Sequence, residues 1–469
     1  MAAVGLSRPS DRALFGEHPD LMVWQARHES LAMPPAEVAK IQLTGLRKRF
    51  AELRPKLPAL DKLAREQRID RIDSLDDAAP LLFKHSVYKS YPFSLIEKNR
   101  FDRLTDWLQN LTTVDLSNVQ AKGLASIDDW LDALSRDAGV RIMHSTGTSG
   151  KLSFLPRGPA EAQSQVRFLQ ISSQGIDEGD IPGLDKLPMI YLVHRHGYAS
   201  YNAPIESAVH ELFEGDESML VTLYPGRLSA DILSLGGRLA SGKLKREDIP
   251  PALLARRDQF VEQQKQAPQR RREFFDTIFE RLRGRRVKLS GNWLMFHEMM
   301  EAGRERGVEG IFAPDSRITN AGGTKGKTFP DGFKEQIKAF FGVANIPEFY
   351  GMTEMAVLMP KCAAGCYHAL PWTIIYVLDP ETGAPLPRAG THTGRFGAID
   401  LFYQTRWGGI LSGDKVTVTY GRCECGREGP AIHNDIRRYS ELEGGDDKIT
   451  CAGAPEAHDN ALDFLAKME

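Results

Sequence analysis

The sequence has little cysteine, little net charge and no long apolar run, and each scarcity excludes something. Five cysteines among 469 residues are too few, and odd in number, for a disulfide framework. A formal net charge of −2 gives no overall field to draw nucleic acid, so no nucleic-acid partner is expected. No apolar run approaches ~18 residues, so no membrane span is expected. The opening stretch MAAVGLSRPSDRALFGEHPD contains no apolar h-region, so no signal peptide is expected and the chain reads as cytoplasmic. What remains is ordinary: 42% hydrophobic and 26% charged residues are those of a soluble globular protein. The length implies two or three domains.

Hydrophobic spacing divides the chain. Residues 1–135 read as a helical N-terminal region. PPAEVAKIQLTGLRKRFAEL has helical apolar spacing after a proline start, and SIDDWLDALSRDAG opens on Ser126 as an N-cap and closes near Gly139. Residues 136–440 alternate. LPMIYLVHRHG, MLVTLY, RVKLSGNW and FGAIDLFY read as strands; RRREFFDTIFERLRG, LMFHEMMEAGRERG and DGFKEQIKAFFG read as helices. Such alternation predicts an α/β sheet. Residues 441–469 form a hinge and short tail. The Arg- and Gln-rich segment from Lys243 to Lys288 reads as a solvated helix face, the alternative being a patch for an anionic cofactor or partner.

Three short motifs carry chemistry. HSTGTSGK, His144 to Lys151, resembles a Walker loop but fails it, because Ser145 stands where the first glycine belongs and Leu152 where Ser or Thr belongs. Ser145, Thr146, Thr148 and Ser149 still offer hydroxyls, Gly147 and Gly150 let backbone N–H groups turn toward an anion, and Lys151 adds charge. A polar surface turn is the plain alternative. NAGGTKGKT follows at Asn320–Thr328; Phe329-Pro330-Asp331-Gly332 interrupts the helix a Walker loop needs, so Ala321, Gly322 and Gly323 read instead as a turn that lets a flat ring approach the backbone. EFYGMTEM gathers Tyr350 for a base, Gly351 for the turn, Thr353 for a phosphate and Glu354 for Mg²⁺. As local structure alone, it reads as a strand-to-helix turn with a capping residue.

The order of these motifs, followed by LSGDKV with Asp414, resembles the adenylate-forming superfamily. The resemblance spans roughly residues 85 to 453. It implies the large α/β domain of that superfamily, ATP and Mg²⁺ as cofactors, and activation of a carboxylic acid. Within it, Ser145–Lys151 hold the triphosphate, Ala321–Gly323 lie beside adenine, and Tyr350, Gly351, Thr353 and Glu354 serve base, phosphate and Mg²⁺. Asp414 binds the ribose hydroxyls. RIMHSTGTSGK and CECGREGP are similar to phenylacetate–CoA ligase-like proteins. LLFKHSVYKSYP and NRFDRLTDWLQNLTTVDLS look more like the acyl-protein synthetase of the bacterial luciferase fatty-acid reductase system. That branch implies a fatty acid as substrate and a reductase subunit or acyl carrier as partner. A CoA ligase and a nucleotide-binding scaffold subunit are the alternatives.

The usual hinge of that superfamily is matched loosely by LEGGDDKITCAG, and sixteen residues follow Gly453. The mobile C-terminal domain is therefore expected to be very short or absent, with Lys448, Lys151 or a partner subunit in place of its lysine. Cys451 sits where the resembled synthetase accepts its acyl group. A thiolate suits that role, since it attacks an acyl-adenylate and stores the activation as a thioester.

The other cysteines form two close pairs, Cys362/Cys366 and Cys423/Cys425. Four thiolates from two loops make a tetrahedral Zn²⁺ site, and His368 could replace one of them. With every ligand supplied by protein, the role expected is structural. Phenylacetate–CoA ligase-like proteins can carry such a zinc. His194 and His196 follow MIYLV and lie at a strand end, where pocket-lining and locally satisfied rings are both compatible with the pattern; His144 belongs to the HSTGTSGK motif.

Overall fold

The computed structural model describes residues 12–145, 151–240, 242, 249, 251–322, 328–439, 458 and 461–465. The chain is a mixed α/β protein built around two large sheets and a hairpin.

Helices dominate up to residue 138. Pro35 starts a helix to Leu53 because its missing N–H falls where no intrahelical partner exists anyway. Ile41, Leu46, Phe50 and Leu53 are its buried face. Ser126 caps the helix Ile127–Ala138 by accepting from the Asp129 N–H. Gly139, at φ 63°, ends it in the left-handed conformation. One piece of this region is a strand: Phe83–Lys84 (β1) leaves it and joins the second sheet.

A hairpin follows, β2 (Arg141–Ser145) and β3 (Ser153–Arg157), antiparallel with Ser145 opposite Ser153. The HSTGTSGK motif is therefore flanked by two strands, β2 before it and β3 after it, not by a strand and a helix.

The first sheet contains β4 (Met189–Gly197), β5 (Leu220–Leu228), β6 (Lys288–Gly291), β7 (Arg317–Ala321), β8 (Glu348–Tyr350) and β9 (Met359–Pro360). Its order is β5-β4-β6-β7-β8-β9, parallel except for β9. The near-continuous apolar run MIYLV of β4 is what a parallel sheet covered by helices requires. The helices Trp293–Arg304 and Phe333–Phe341 pack Phe296, Met300, Ile337 and Phe341 against it. Because β7 and β8 are parallel neighbours, the Ala321 turn and the Tyr350–Gly351 turn emerge side by side. That is the edge at which open α/β sheets bind ligands.

The second sheet contains β10 (Tyr367–His368), β11 (Thr373–Leu378), β12 (Gly390–Asp400), β13 (Gly409–Arg422), β14 (Glu428–Ile432) and β15 (Arg437–Arg438). Its path is β10-β14-β13-β12-β11, with β1 and β15 also paired to β13. Gly408, between β12 and β13, has no room for a side chain, since a Cβ there would strike the Asp400 carbonyl. Trp407 sits edge-on to Phe50, so this sheet and the N-terminal helices share one core.

Candidate active site

The structure brings two of the sequence motifs together across the two sheets. Tyr350, at the end of β8, donates its hydroxyl to Asp414 Oδ2 of β13 at 2.8 Å. Its ring packs against Tyr367 and edge-on to Phe396. Burial, then the Asp414 charge, keeps the phenol protonated. The second Asp414 oxygen lies 3.7 Å from Arg438, on the strand paired with it. The Asp414 N–H donates to Ser412 Oγ at 3.0 Å. A carboxylate so held keeps lone pairs free for hydroxyl donors.

Thr353 and Glu354 occupy the loop between β8 and β9. No helix follows Glu354, contrary to the strand-to-helix turn read from the sequence. The chain bends through residues 351–357 into antiparallel β9. The reason lies outside the motif. Arg157 reaches the Thr353 and Met355 carbonyls at 3.5 and 3.3 Å. Arg406 donates to the Glu354 carbonyl. Asp400 accepts the Ala356 N–H at 2.8 Å. Backbone groups that a helix would satisfy internally are taken by these three buried side chains. The Glu354 carboxyl itself is buried, and desolvation raises its pKa, while Arg406 and His85 act the other way. A buried carboxylate without full compensation fits a cation.

Arg157, Asp400 and Arg406 were missed in the sequence. The one available signal was YQTRWGG, where an arginine among aromatics and glycines announces a buried guanidinium. The Arg406 guanidinium stacks on Tyr403 at 3.6 Å and reaches the Tyr88 hydroxyl at 3.3 Å.

Of the first loop, Ser145 is buried on β2, and Lys151 lies over the Tyr91 ring at 4.8 Å. Burial, then Lys89, pulls the Lys151 pKa down. Thr146, Gly147, Thr148, Ser149 and Gly150 lie outside the described residues, as do Gly323, Lys448 and Cys451. Ala321 ends β7 and Gly322 follows it; Gly322 takes φ +111°, and its carbonyl accepts from Asn320 at 3.0 Å.

Four of the five expected metal ligands converge. Ligand atoms of Cys362, His368, Cys423 and Cys425 all lie within 4.8 Å of one another. Cys362 and Cys423 sulfurs are 4.0 Å apart, and Cys425 Sγ is 3.4 Å from His368 Nε2. Tetrahedral ligands at zinc bond lengths stand about 3.3–3.8 Å from each other, so the donor set fits Zn²⁺. The Cys366 thiol falls outside this group of four but still interacts with that of Cys423; its carbonyl accepts the Cys362 N–H at 2.8 Å and closes the knuckle. Burial, then Arg427, lowers His368 to about 4, leaving the imidazole in its neutral, ligating form.

The histidines near β4 have structural surroundings. His144 is buried, and desolvation lowers it to about 4. His194 stacks on Tyr224 at 4.5 Å and meets His458 edge-on at 4.8 Å. His196 Nδ1 lies 3.6 Å from Glu206. A cavity of about 460 Å³ between β5 and the helix Arg257–Asp276 is lined by Leu220, Thr222, Arg270, Phe274 and Arg285. It shares no residue with the site above. Among the described residues no helix is long and apolar enough to cross a membrane.

No family profile matches the sequence, and no curated protein does. Several solved structures are similar to it. A 2-hydroxyisobutyryl-CoA ligase in complex with 2-HIB-AMP and CoA is 14% identical, with 88% of this chain and 71% of that chain covered and a TM-score of 0.49. A luciferase-like enzyme from the mealworm Zophobas morio is 11% identical over 64% of this chain and 57% of its own, at 0.36. Apo MatB from Rhodopseudomonas palustris is 14% identical over 65% and 51%, at 0.33. At such values the likeness says nothing of substrate or residue roles, and the chemistry has to be argued from the site itself.

Proposed function

We propose that this chain, with residues 136–440 as its core, activates a carboxylic acid with ATP. The observation that carries this reading is the Tyr350–Asp414 contact. It sets a ribose-type carboxylate beside the β8 turn, with the Glu354 loop and the Ala321 turn next to it. In the reaction, a carboxylate oxygen of the acid attacks the α-phosphorus of ATP. The bond to pyrophosphate breaks, and acyl-AMP remains. Asp414 takes the ribose hydroxyls, and Thr353 donates to phosphate. The Ala321–Gly322 backbone borders the base. Mg²⁺ held by Glu354 and the phosphates would neutralise part of the charge that builds up.

In the second half-reaction a thiolate attacks the acyl carbon and AMP leaves. We assign the thiol to Cys451 and a fatty acid to the substrate, in the manner of an acyl-protein synthetase, with Lys448 three positions before it in the sequence and an acyl carrier or reductase subunit downstream. CoA is the alternative acceptor. A structural Zn²⁺ on Cys362, His368, Cys423 and Cys425 would pin β10 and the β13–β14 turn beside the site.

The test is pyrophosphate release from ATP and Mg²⁺ over a panel of fatty and aromatic acids, without CoA, with hydroxylamine trapping the activated acyl group. Release dependent on one acid class establishes adenylation and names the substrate. Silence across the panel, with ATP still bound, rejects adenylation and leaves a nucleotide-binding scaffold. Acyl label retained on the denatured chain, and lost in Cys451→Ala, separates the protein thiol from CoA.

A further inference from the structure

The site as built so far is acidic. Glu354 and Asp414 face it, and the reaction proposed above brings in a second carboxylate and a triphosphate. The two arginines nearest Glu354 are committed elsewhere. Arg406 is buried among Tyr88, Tyr403 and the Glu354 and Trp407 carbonyls. Arg157 is buried against the carbonyls of the 351–357 loop. Neither guanidinium can turn to a ligand without unpinning that loop.

One short segment supplies cations instead. Residues 83–91 run as a strap from the second sheet to the hairpin. At one end, β1 pairs with Ile410 and Leu411, and the His85 N–H donates to the Leu411 carbonyl at 3.1 Å. Leu411 lies three residues before Asp414 on the same strand. In the middle, the buried Tyr88 hydroxyl donates to the Trp407 carbonyl at 3.0 Å and receives Arg406, whose other nitrogen holds Glu354. At the far end, the Tyr91 hydroxyl donates to the Leu152 carbonyl at 2.9 Å, its ring stacks on Phe154 at 5.4 Å, and Lys151 lies over that ring. The strap is thus fastened at three points, each next to a different part of the site. Its half-buried basic side chains sit between the fastenings: His85 interacts electrostatically with Glu354, and Lys89 with Lys151. The five residues from His85 to Lys89, in turn and 3₁₀ backbone, reach roughly 8 Å over four steps, a span suited to a phosphate chain.

We propose that residues 83–91 form the cationic wall of the phosphate site, with Lys89 beside Lys151 facing the outer phosphates and His85 beside Glu354 facing the phosphate that reacts. The proposal rests on the adenylation reading. It assigns to the N-terminal region of the chain the positive charge that the transfer of a phosphoryl group onto a carboxylate requires.

The test compares ATP with AMP on the full chain in excess Mg²⁺, by calorimetry. Lys89→Gln is expected to weaken ATP by about tenfold, the loss of one charge-assisted contact, and to leave AMP unchanged. Lys89→Arg restores most of the preference for ATP. His85→Gln leaves the ATP dissociation constant in place and lowers kcat for acid-dependent pyrophosphate release by about tenfold. Equal weakening of ATP and AMP in Lys89→Gln, or of neither, overturns the assignment of Lys89. An unchanged kcat in His85→Gln overturns that of His85. A parent chain that binds neither nucleotide fails differently, because it removes the adenylation reading itself.

Discussion

Tyr350 and Asp414 are 64 positions apart in the chain, on two different sheets, and meet through a 2.8 Å hydrogen bond from phenol to carboxylate. The contact fixes one rotamer of Asp414 and orients its remaining lone pairs. If those lone pairs receive the ribose hydroxyls, the two residues act as a unit. Tyr350→Phe and Asp414→Asn should each weaken AMP binding, by about tenfold for Asp414→Asn and less for Tyr350→Phe. The double variant should lose less than the sum, because the second change removes a contact already broken. Titration of AMP into the four proteins measures this. AMP affinity that ignores Asp414→Asn would remove Asp414 from the nucleotide site.

The metal centre offers a contrast within one knuckle. Cys362 and Cys366 are equally good thiols in sequence, but only Cys362 joins His368, Cys423 and Cys425. Elemental analysis should find one zinc per chain. Cys423→Ser should lose it, and Cys366→Ser should keep it. Because the metal would tie four side chains of the folded chain together and bind the unfolded chain less well, zinc removal by a chelator should lower the melting temperature by several degrees. Zinc retained by Cys423→Ser and lost by Cys366→Ser would reverse the ligand assignment.

What could be read from the sequence was what is written locally. The apolar run MIYLV is enough to specify a buried parallel strand, and β4 begins within it at Met189. The paired cysteines announce their cluster by spacing alone. The Glu354 loop was not legible. A Thr-Glu after a turn glycine shares its chemistry with a helix start, and what prevents the helix is Asp400 and Arg406, about fifty residues downstream. β1 was hidden for a second reason: two residues are too few for any periodicity, and their strand partner lies 327 positions away. Contacts of high sequence separation decide these places, and no local pattern encodes them.

Two helix N-termini face each other at Asp128 and Asp231. Asp231 accepts the Ile127 and Asp128 N–H groups at 2.9 and 3.0 Å, and Asp128 accepts the Ala230 N–H at 3.0 Å. Burial, then the Asp128 charge, pushes Asp231 up to about 7. A raised carboxyl pKa favours the protonated form in the folded chain. Its stabilising contribution is therefore complete below the ordinary aspartate range near ~3.9 and is lost as pH rises through about 7. Asp231→Asn, which cannot ionise, should gain on the parent as pH rises from 4 to 7, by upwards of about 1 kcal/mol. Urea unfolding of both proteins at several pH values gives the difference. A difference that is flat with pH would mean that Asp231 is ionised throughout.

Glu354 and Arg406 share one loop and should respond to substitution in opposite ways. Arg406 serves the fold: its guanidinium satisfies the Glu354 and Trp407 carbonyls and the Tyr88 hydroxyl, all buried. Arg406→Met keeps the length and abandons those acceptors, at about 1–3 kcal/mol for each one left dry. It should lower the melting temperature sharply. Glu354 costs the fold something, because its carboxyl is desolvated and burial raises its pKa, disfavouring the charged form relative to water. Glu354→Gln removes that charge in nearly the same shape. It should unfold at the parent's temperature or slightly above, while acid-dependent pyrophosphate release falls by about a hundredfold or more. A residue that sacrifices stability for chemistry shows this pairing, and a structural carboxylate shows the reverse. Thermal unfolding and pyrophosphate release on the same two preparations decide it: a destabilised Glu354→Gln with its activity intact would make Glu354 a packing residue and leave the cation without its protein ligand.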